Sequence, residues 1–145
     1  MFRRVLYILI ISVFLTSCQS ETNNEFGNTV PTPEQGKSNL TGRIMTVQGK
    51  PLTETVVRLA EVYRDGENTE RGAYLLDTAF SPGTITDNRG FFVFINLLPG
   101  EYVVVVGDVE SNNYVIIADE KGIARTWKTM ENQILDLGKL VVEKN

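Results

Sequence analysis

Few side chains in this chain can do covalent or metal chemistry, and one of them is a lone cysteine, Cys18. The 145-residue sequence contains no histidine. That absence removes the commonest general base, the serine triad and most zinc sites. A single cysteine also leaves no intrachain disulfide to form. The sequence therefore predicts no catalytic residue, no metal ligand and no cofactor, and it indicates that the protein is not an enzyme.

Paired carboxylates are the remaining catalytic candidates, because two of them suffice to hydrolyse a glycosidic bond. Such pairs occur at Glu67 with Glu70 and at Asp119 with Glu120. Both pairs lie in polar, turn-like stretches, which are typical of solvated surface charge. A carboxylate-dependent hydrolase is accordingly the least favoured of the functions that the sequence allows.

The segment before Cys18 has the organisation of a signal peptide: two arginines, a short apolar run and then small residues. The run, residues 5–15, is too short to span about 30 Å of hydrocarbon as a helix. The order Leu15, Thr16, Ser17, Cys18 resembles the lipobox of bacterial lipoproteins, in which the cysteine sulfur receives a diacylglyceryl group. The resemblance implies that residues 1–17 are removed and that Cys18 becomes the lipidated first residue.

Lipidation predicts a location in the bacterial cell envelope, where two or more acyl chains give stable anchoring. Gln19 follows Cys18, so the aspartate of the inner-membrane retention signal is absent, which favours the outer membrane or the cell surface. Without its two arginines in the signal segment, the chain keeps 12 of 14 basic residues against 18 acidic ones, a net charge near −6. An acidic chain without a basic run predicts no nucleic-acid partner. Membrane lipid, reached through acylated Cys18, is the predicted partner.

Composition divides the mature chain into two parts. Residues 18–38 are polar and carry only Phe26 and Val30 as sizeable apolar side chains, so they are predicted to form a flexible tether. Its root-mean-square span is roughly 25 Å. Residues 39–145 are long enough for one domain with one core.

Short strands separated by turns dominate residues 39–145 and predict an all-β fold, a single antiparallel β-sandwich of about seven strands. Two runs, 91–95 and 102–106, are continuously apolar, which predicts strands covered on both faces. In the last strand the spacing between apolar residues changes from two to three positions, which would move them to opposite faces of the sheet. A β-bulge at Gly138 would keep them on one face. A long polar insertion, residues 63–83, does not follow the pattern of short strands separated by turns. It is the expected place for binding specificity, and a disordered or sheet-covering loop is the equally favoured alternative.

Three motifs in this region resemble those of carboxypeptidase regulatory-like domains, which have a transthyretin-like, prealbumin-type sandwich. They comprise an opening motif at Gly42, Gly49, Pro51, Leu52, Val57 and Leu59; a turn motif at Thr86, Asp87, Gly90, Phe92 and Phe94; and a third motif at Leu97, Leu98, Pro99, Gly100, Tyr102 and Val104. The resemblance implies structural roles for these residues. A calcium site at Asp87 with Asn88 is the less favoured alternative, since only two oxygen-bearing side chains cluster there.

Two activities of related sandwiches do not carry over to these residues. The hydrolases of ureide substrates and the iron-binding dioxygenases both depend on histidines, which this sequence lacks. The crosslinked adhesin repeats need a lysine and an acidic residue, but Arg43 and Val106 stand at the corresponding positions. The resemblance therefore predicts no isopeptide bond.

Aromatic side chains are the remaining candidates for ligand contact, because flat rings stack on sugars. They are Trp127, Tyr63, Tyr74 and Tyr114, of which the first three are the favoured ones. The sequence thus predicts a non-enzymatic, lipid-anchored sandwich that acts as a binding or structural module, with an envelope protein or a cell-surface glycan as its partner. A glycan-binding module of the same fold is the alternative.

Overall fold

A computed structural model describes residues 22–23, 29–66 and 68–143 of the chain. All regular structure in these residues is β, which confirms the predicted fold class. No helix within them is long and apolar enough to cross a membrane. The strands are β1 (Thr22–Asn23), β2 (Thr29–Val30), β3 (Ser38–Thr46), β4 (Val56–Asp65), β5 (Asn68–Leu75), β6 (Gly83–Ile85), β7 (Phe91–Leu97), β8 (Glu101–Asp108), β9 (Asn113–Ile116), β10 (Thr126–Lys128) and β11 (Ile134–Val142).

Two sheets form the layers of a β-sandwich. One has the order β10, β8, β4, β5, with β6 paired to the start of β4 and β9 paired to the end of β8. The other has the order β11, β3, β7. Strands β1 and β2 pair with each other apart from both layers. The number of strands exceeds the seven expected, and β11 pairs in parallel with β3, whereas every other pair is antiparallel as predicted.

The main core lies between the two layers. Its fully buried members come from both sheets and include Leu40, Ile44, Val57, Leu59, Phe92 and Val104. The rings of Phe92 and Phe94 meet edge to face, with centroids 5.9 Å apart. Gly42 pairs with Phe92 in the same sheet, and a Cβ there would lie 2.9 Å from the Phe92 ring. A side chain at this position would therefore displace a ring of the main core.

Strand β8 is covered on both faces, as its continuous apolar run predicts. Tyr102 and Val104 point into the main core, while Val103 and Val105 join Ala60 in a second apolar cluster. Partly buried side chains from neighbouring segments cover this cluster: Val62, Leu76, Val109, Ile116 and Ala124. Among the described residues, β8 therefore occupies a central position in its sheet.

Strand β7 differs from the prediction of burial on both faces. It lies at the edge of its sheet, and its exposure alternates from Phe92, which is buried, to Ile95, which is 56% exposed. An edge strand in a three-stranded layer has one face on the core and one face outward, so its outward residues stay accessible. The predicted bulge in β11 is confirmed: the β3 register shifts between Asp136 and Lys139, and Gly138 has φ +65°.

The insertion at 63–83 continues the six-stranded sheet. Strand β5 pairs with the far half of β4, from Glu61 opposite Leu75 to Asp65 opposite Asn68. A tight turn follows, in which an Asp77 carboxylate oxygen accepts the backbone N–H of Ala79 at 2.8 Å. Strand β6 then returns to the start of β4.

The segment that leads into the sandwich contacts it from Thr29 onward. Val30 is 1% exposed, and the Asn39 side-chain amide donates to Pro31 O at 2.6 Å. Residues 29–38, the last part of the predicted tether, are thus packed against the fold, because their backbone amides and carbonyls find partners there. Residues 1–17 and Cys18 lie outside the described residues.

The strand directions define two opposite ends of the sandwich. Strands β3, β11 and β8 all run toward the end where Leu52, Val106 and Val142 meet, which we name the cleft end. At the other end, residues 31–39 meet residues 96–100 and 129–133, and we name this the clamp end. Nine residues of β3 at about 3.3 Å each place the two ends roughly 30 Å apart.

Candidate functional site

A candidate site is a cleft between the two layers at the cleft end. It encloses about 390 Å³, within the range of small-ligand pockets. Its walls come from four separate segments: residues 52 and 54–56, residues 106–108, residues 112–115, and residues 142–143. The cleft is therefore a product of the layer arrangement, since no single segment forms it.

One wall of the cleft is the β8–β9 hairpin, whose shape depends on a glycine. Gly107 has φ +114°, and a Cβ there would lie 2.4 Å from Asn113 O. Asp108 holds the turn that follows, because its carboxylate accepts Glu110 N–H at 3.0 Å and Ser111 Oγ–H at 2.8 Å. These bonds, the Ser111 hydroxyl first, lower the pKa of Asp108.

The opposite wall is the loop before β4. Glu54 has φ +50°, a left-handed conformation that is rare for a residue with a long side chain. The loop is fixed by Thr86, which is 3% exposed: its O accepts Glu54 N–H at 3.1 Å and its Oγ1 accepts Thr55 N–H at 2.9 Å. The two walls are thus held in place by hydrogen bonds of Asp108 and Thr86 before any ligand enters.

The charge of the cleft is acidic. Glu54, Asp108 and Glu143 line it together with the amide side chains of residues 112–113, and among its described lining residues none is basic. Tyr114 adds a ring that is 39% exposed. Carboxylates and amides beside an exposed ring are suited to hydroxyl-rich or cationic groups, and they repel anions.

Carboxylates are the candidate metal ligands in the described part of the chain. In the described ranges, no group of three or more cysteine, aspartate or glutamate side chains lies close enough to hold an ion. The carboxylate of Asp87 instead accepts the N–H groups of Arg89 at 2.8 Å and Phe91 at 2.9 Å, which fixes the turn before β7. Partial burial raises the pKa of Asp87, but these backbone bonds outweigh it, so the pKa is lowered.

Of the two predicted carboxylate pairs, the structure describes Asp119 with Glu120. Asp119 accepts Lys121 N–H and Ile123 N–H, both at 2.9 Å, and so holds a surface turn. Glu120 beside it is exposed. Glu67 lies outside the described residues, as does the side chain of Glu70.

The predicted aromatic residues are not brought together. Tyr63 pairs with Ala73 while Tyr74 pairs with Val62, so the two rings stand on opposite faces of the sheet. Tyr63 donates its hydroxyl to Glu61 Oε2 at 2.7 Å, and this bond raises the pKa of Tyr63.

Trp127 is partly buried against the main core. The Arg125 guanidinium lies 5.0 Å from the centre of its ring and covers one face. Tyr114 is therefore the one aromatic candidate that lines the large cleft. The β8–β9 wall of the cleft was not identified from the sequence. The local signal for it is Gly107 with Asp108, a glycine and an aspartate where the turn between β8 and β9 begins.

Comparison with known proteins gives matches only among solved structures. No protein-family model matches the chain, and no curated protein matches it. One match is a proposed carbohydrate-binding protein from Pseudomonas aeruginosa, with 17% identity and a TM-score of 0.43, covering 77% of this chain and 92% of that one. Another is a DUF3823 family protein from Bacteroides uniformis, with 16% identity and a TM-score of 0.42, covering 73% and 43%.

Enzymes also appear among the matches. The dioxygenase domain of a Streptomyces fusion protein has 14% identity and a TM-score of 0.44, covering 79% of this chain and 83% of that one. The chain spans 16% of a 9R-lipoxygenase from Cyanothece, at 20% identity and a TM-score of 0.37. Identities and TM-scores this low identify no family, and the resemblance to carboxypeptidase regulatory-like domains stays a prediction.

These matches correct the prediction that the protein is not an enzyme. That prediction relied on the fold resemblance and on the missing histidine, yet the matched sandwiches include several oxygenases. A fold is a scaffold on which different sites are built, so it does not separate enzymes from binding proteins. The function has to be argued from the cleft itself.

Proposed function

We propose that this chain is a binding module of the bacterial cell envelope, anchored through lipidated Cys18, and that it binds a glycan in the cleft at the cleft end. The observation that carries the proposal is the composition of that cleft: one exposed ring, Tyr114, beside carboxylates and amides in a volume of about 390 Å³. Sugars offer an apolar ring face for an aromatic side chain and hydroxyl groups for carboxylates and amides.

The acidic lining decides which glycans are suitable. Glu54, Asp108 and Glu143 repel carboxylated or phosphorylated sugars, so the ligand is neutral or carries amino groups. The rigid walls also favour binding, because a preformed site loses little conformational entropy when it is occupied.

Glycan binding can be tested with the purified lipoprotein in detergent micelles, on arrays of neutral, amino and acidic sugars. We expect binding to neutral or amino sugars, and we expect Tyr114→Ala to weaken it at least about tenfold, or ~1.4 kcal/mol. Tyr63→Ala is the matched control, because this tyrosine is exposed outside the cleft. Loss of binding in Trp127→Ala with full binding in Tyr114→Ala would place the ligand elsewhere, and no binding to any glycan would end the proposal.

The anchor has a separate test. Wild-type cells should incorporate labelled fatty acid into the protein, and Cys18→Ser should release it from the membrane fraction. A Cys18→Ser protein that stays membrane-bound, together with a wild type that takes up no label, would contradict lipidation.

A further inference from the structure

Three asparagine side chains hold the segment that precedes β3 onto the clamp end. Asn96 accepts Glu34 N–H at 2.9 Å with its Oδ1 and donates to Glu34 Oε1 at 2.8 Å with its Nδ2. Asn132 accepts Gly36 N–H at 2.9 Å. Asn39, which is fully buried, donates to Pro31 O and accepts Asn96 N–H at 2.8 Å.

The clamp is built into the backbone as well as the side chains. Asn96 and Asn132 have φ +55° and +59°, a left-handed conformation that asparagine tolerates better than most residues. Asn132 N–H also donates to Lys37 O at 2.6 Å. The direction in which the chain leaves the sandwich toward its N-terminus is therefore fixed by hydrogen bonds of Asn39, Asn96 and Asn132.

This attachment shortens the free part of the chain. In β1, Thr22 pairs with Val30, which directly precedes the clamp end. Thr22 follows Cys18 by four positions, a distance of at most about 14 Å even for a fully extended chain. The clamp end therefore stays close to Cys18, whereas the cleft end is roughly 30 Å further along the strands. The clamp end also exposes two large apolar side chains, Leu98 at 62% and Met130 at 52%.

We propose that the clamp end is a membrane-facing surface, held toward the bilayer by Asn39, Asn96 and Asn132, so that the cleft opens away from the lipid. The occupant of this surface is the bilayer in which lipidated Cys18 sits, which follows from where the chain enters the sandwich. The inference rests on the anchor in the proposed function. It adds the orientation in which the cleft is presented.

The orientation can be measured by energy transfer from a dye on the protein to acceptor lipids. The purified lipoprotein would be reconstituted into phosphatidylethanolamine and phosphatidylglycerol vesicles, with Met130→Cys or Val47→Cys as the only free thiol. The two sites are matched in exposure, at 52% and 53%, but lie at the clamp end and the cleft end. We expect several-fold greater transfer from the Met130 site. Equal transfer from both sites would overturn the proposal.

The clamp is tested in the same assay by the double variant Asn96→Gly, Asn132→Gly. Glycine keeps the left-handed backbone and removes the amide groups, so we expect faster hydrogen exchange at Glu34 and Gly36 and a smaller difference between the two dyes. If hydrogen exchange becomes faster but the difference in energy transfer between the two dyes is unchanged, the clamp is refuted. If the double variant does not fold, ten glycine and serine residues inserted after Ser20 leave the sandwich intact. An unchanged difference in energy transfer in that insertion variant would also refute the clamp.

The anchor and the orientation fail in different ways. A protein that does not float with the vesicles lacks the lipid and contradicts the proposed function. A protein that floats but gives equal transfer from both dyes keeps its anchor and contradicts only the orientation.

Discussion

Gly90 and Gly122 have the same backbone conformation in different surroundings, so alanine at each position separates backbone strain from crowding. Both have φ +76°. A Cβ on Gly122 would meet nothing within 4 Å, whereas a Cβ on Gly90 would lie 2.4 Å from Ile44 O. We therefore expect Gly90→Ala to destabilise the fold far more than Gly122→Ala does.

The size of the difference follows from the contacts of Ile44. Alanine in the left-handed region lowers the free energy of unfolding by about 1–2 kcal/mol. The lower flexibility of the unfolded chain offsets about 0.4–1 kcal/mol of this loss, so the net destabilisation by Gly122→Ala is about 1 kcal/mol. At Gly90 the added methyl must displace Ile44 O, which accepts Leu52 N–H at 3.0 Å. A buried polar group left without its partner costs about 1–3 kcal/mol more, so we expect about 3 kcal/mol in total.

Urea unfolding of the two variants beside the wild type measures this difference. Both should shift the midpoint with an unchanged slope, because neither changes the surface exposed on unfolding. Equal midpoint shifts would refute the close approach of the turn before β7 to the end of β3. A large loss in Gly122→Ala would refute the open surroundings of that turn.

Three further predictions concern polar groups. Hydrogen bonds lower the pKa of Asp87 in the fold, so stability falls as pH drops below about 4, and Asp87→Asn should flatten that acid limb in urea titrations. Burial raises the pKa of Tyr102, so stability falls as pH rises above about 10, and Tyr102→Phe should remove that decline. The same variant should lose about 1 kcal/mol of stability at pH 7, because the Tyr102 hydroxyl donates to Leu98 O at 2.7 Å. Arg64 and Glu101 form an ion pair at 2.6 Å with both side chains 30% exposed, and a double-mutant cycle should give less than about 1 kcal/mol, reduced further in 1 M salt.

Local signals in the sequence predicted the features that depend on a few neighbouring residues. Asp87 and Gly90 predicted a turn, and the carboxylate does cap two amides there while the glycine takes a positive φ. The continuous apolar run of β8 predicted burial on both faces, and the change in apolar spacing in β11 predicted the bulge at Gly138. Each of these features follows from chain geometry within one strand or turn.

Features that depend on register between distant segments could not be predicted. The parallel pairing of β11 with β3 joins residues nearly a hundred positions apart. The opposite faces of Tyr63 and Tyr74 depend on the β4–β5 register, which composition does not reveal. The cleft joins four segments from both layers, so the sequence pointed to the insertion at 63–83 instead, although Gly107 carried a local signal for one wall.

Left-handed residues other than glycine concentrate at the two ends to which functions are assigned. Among the described residues they are Glu54, Asn96, Asn112 and Asn132. Glu54 and Asn112 line opposite walls of the cleft, and Asn96 and Asn132 form the clamp. Such conformations cost free energy and persist where surrounding bonds hold them, so they occur preferentially at functional sites. In the proposed arrangement, ligand contact and attachment to the membrane would therefore lie at opposite ends of one core, and either could change without repacking the other.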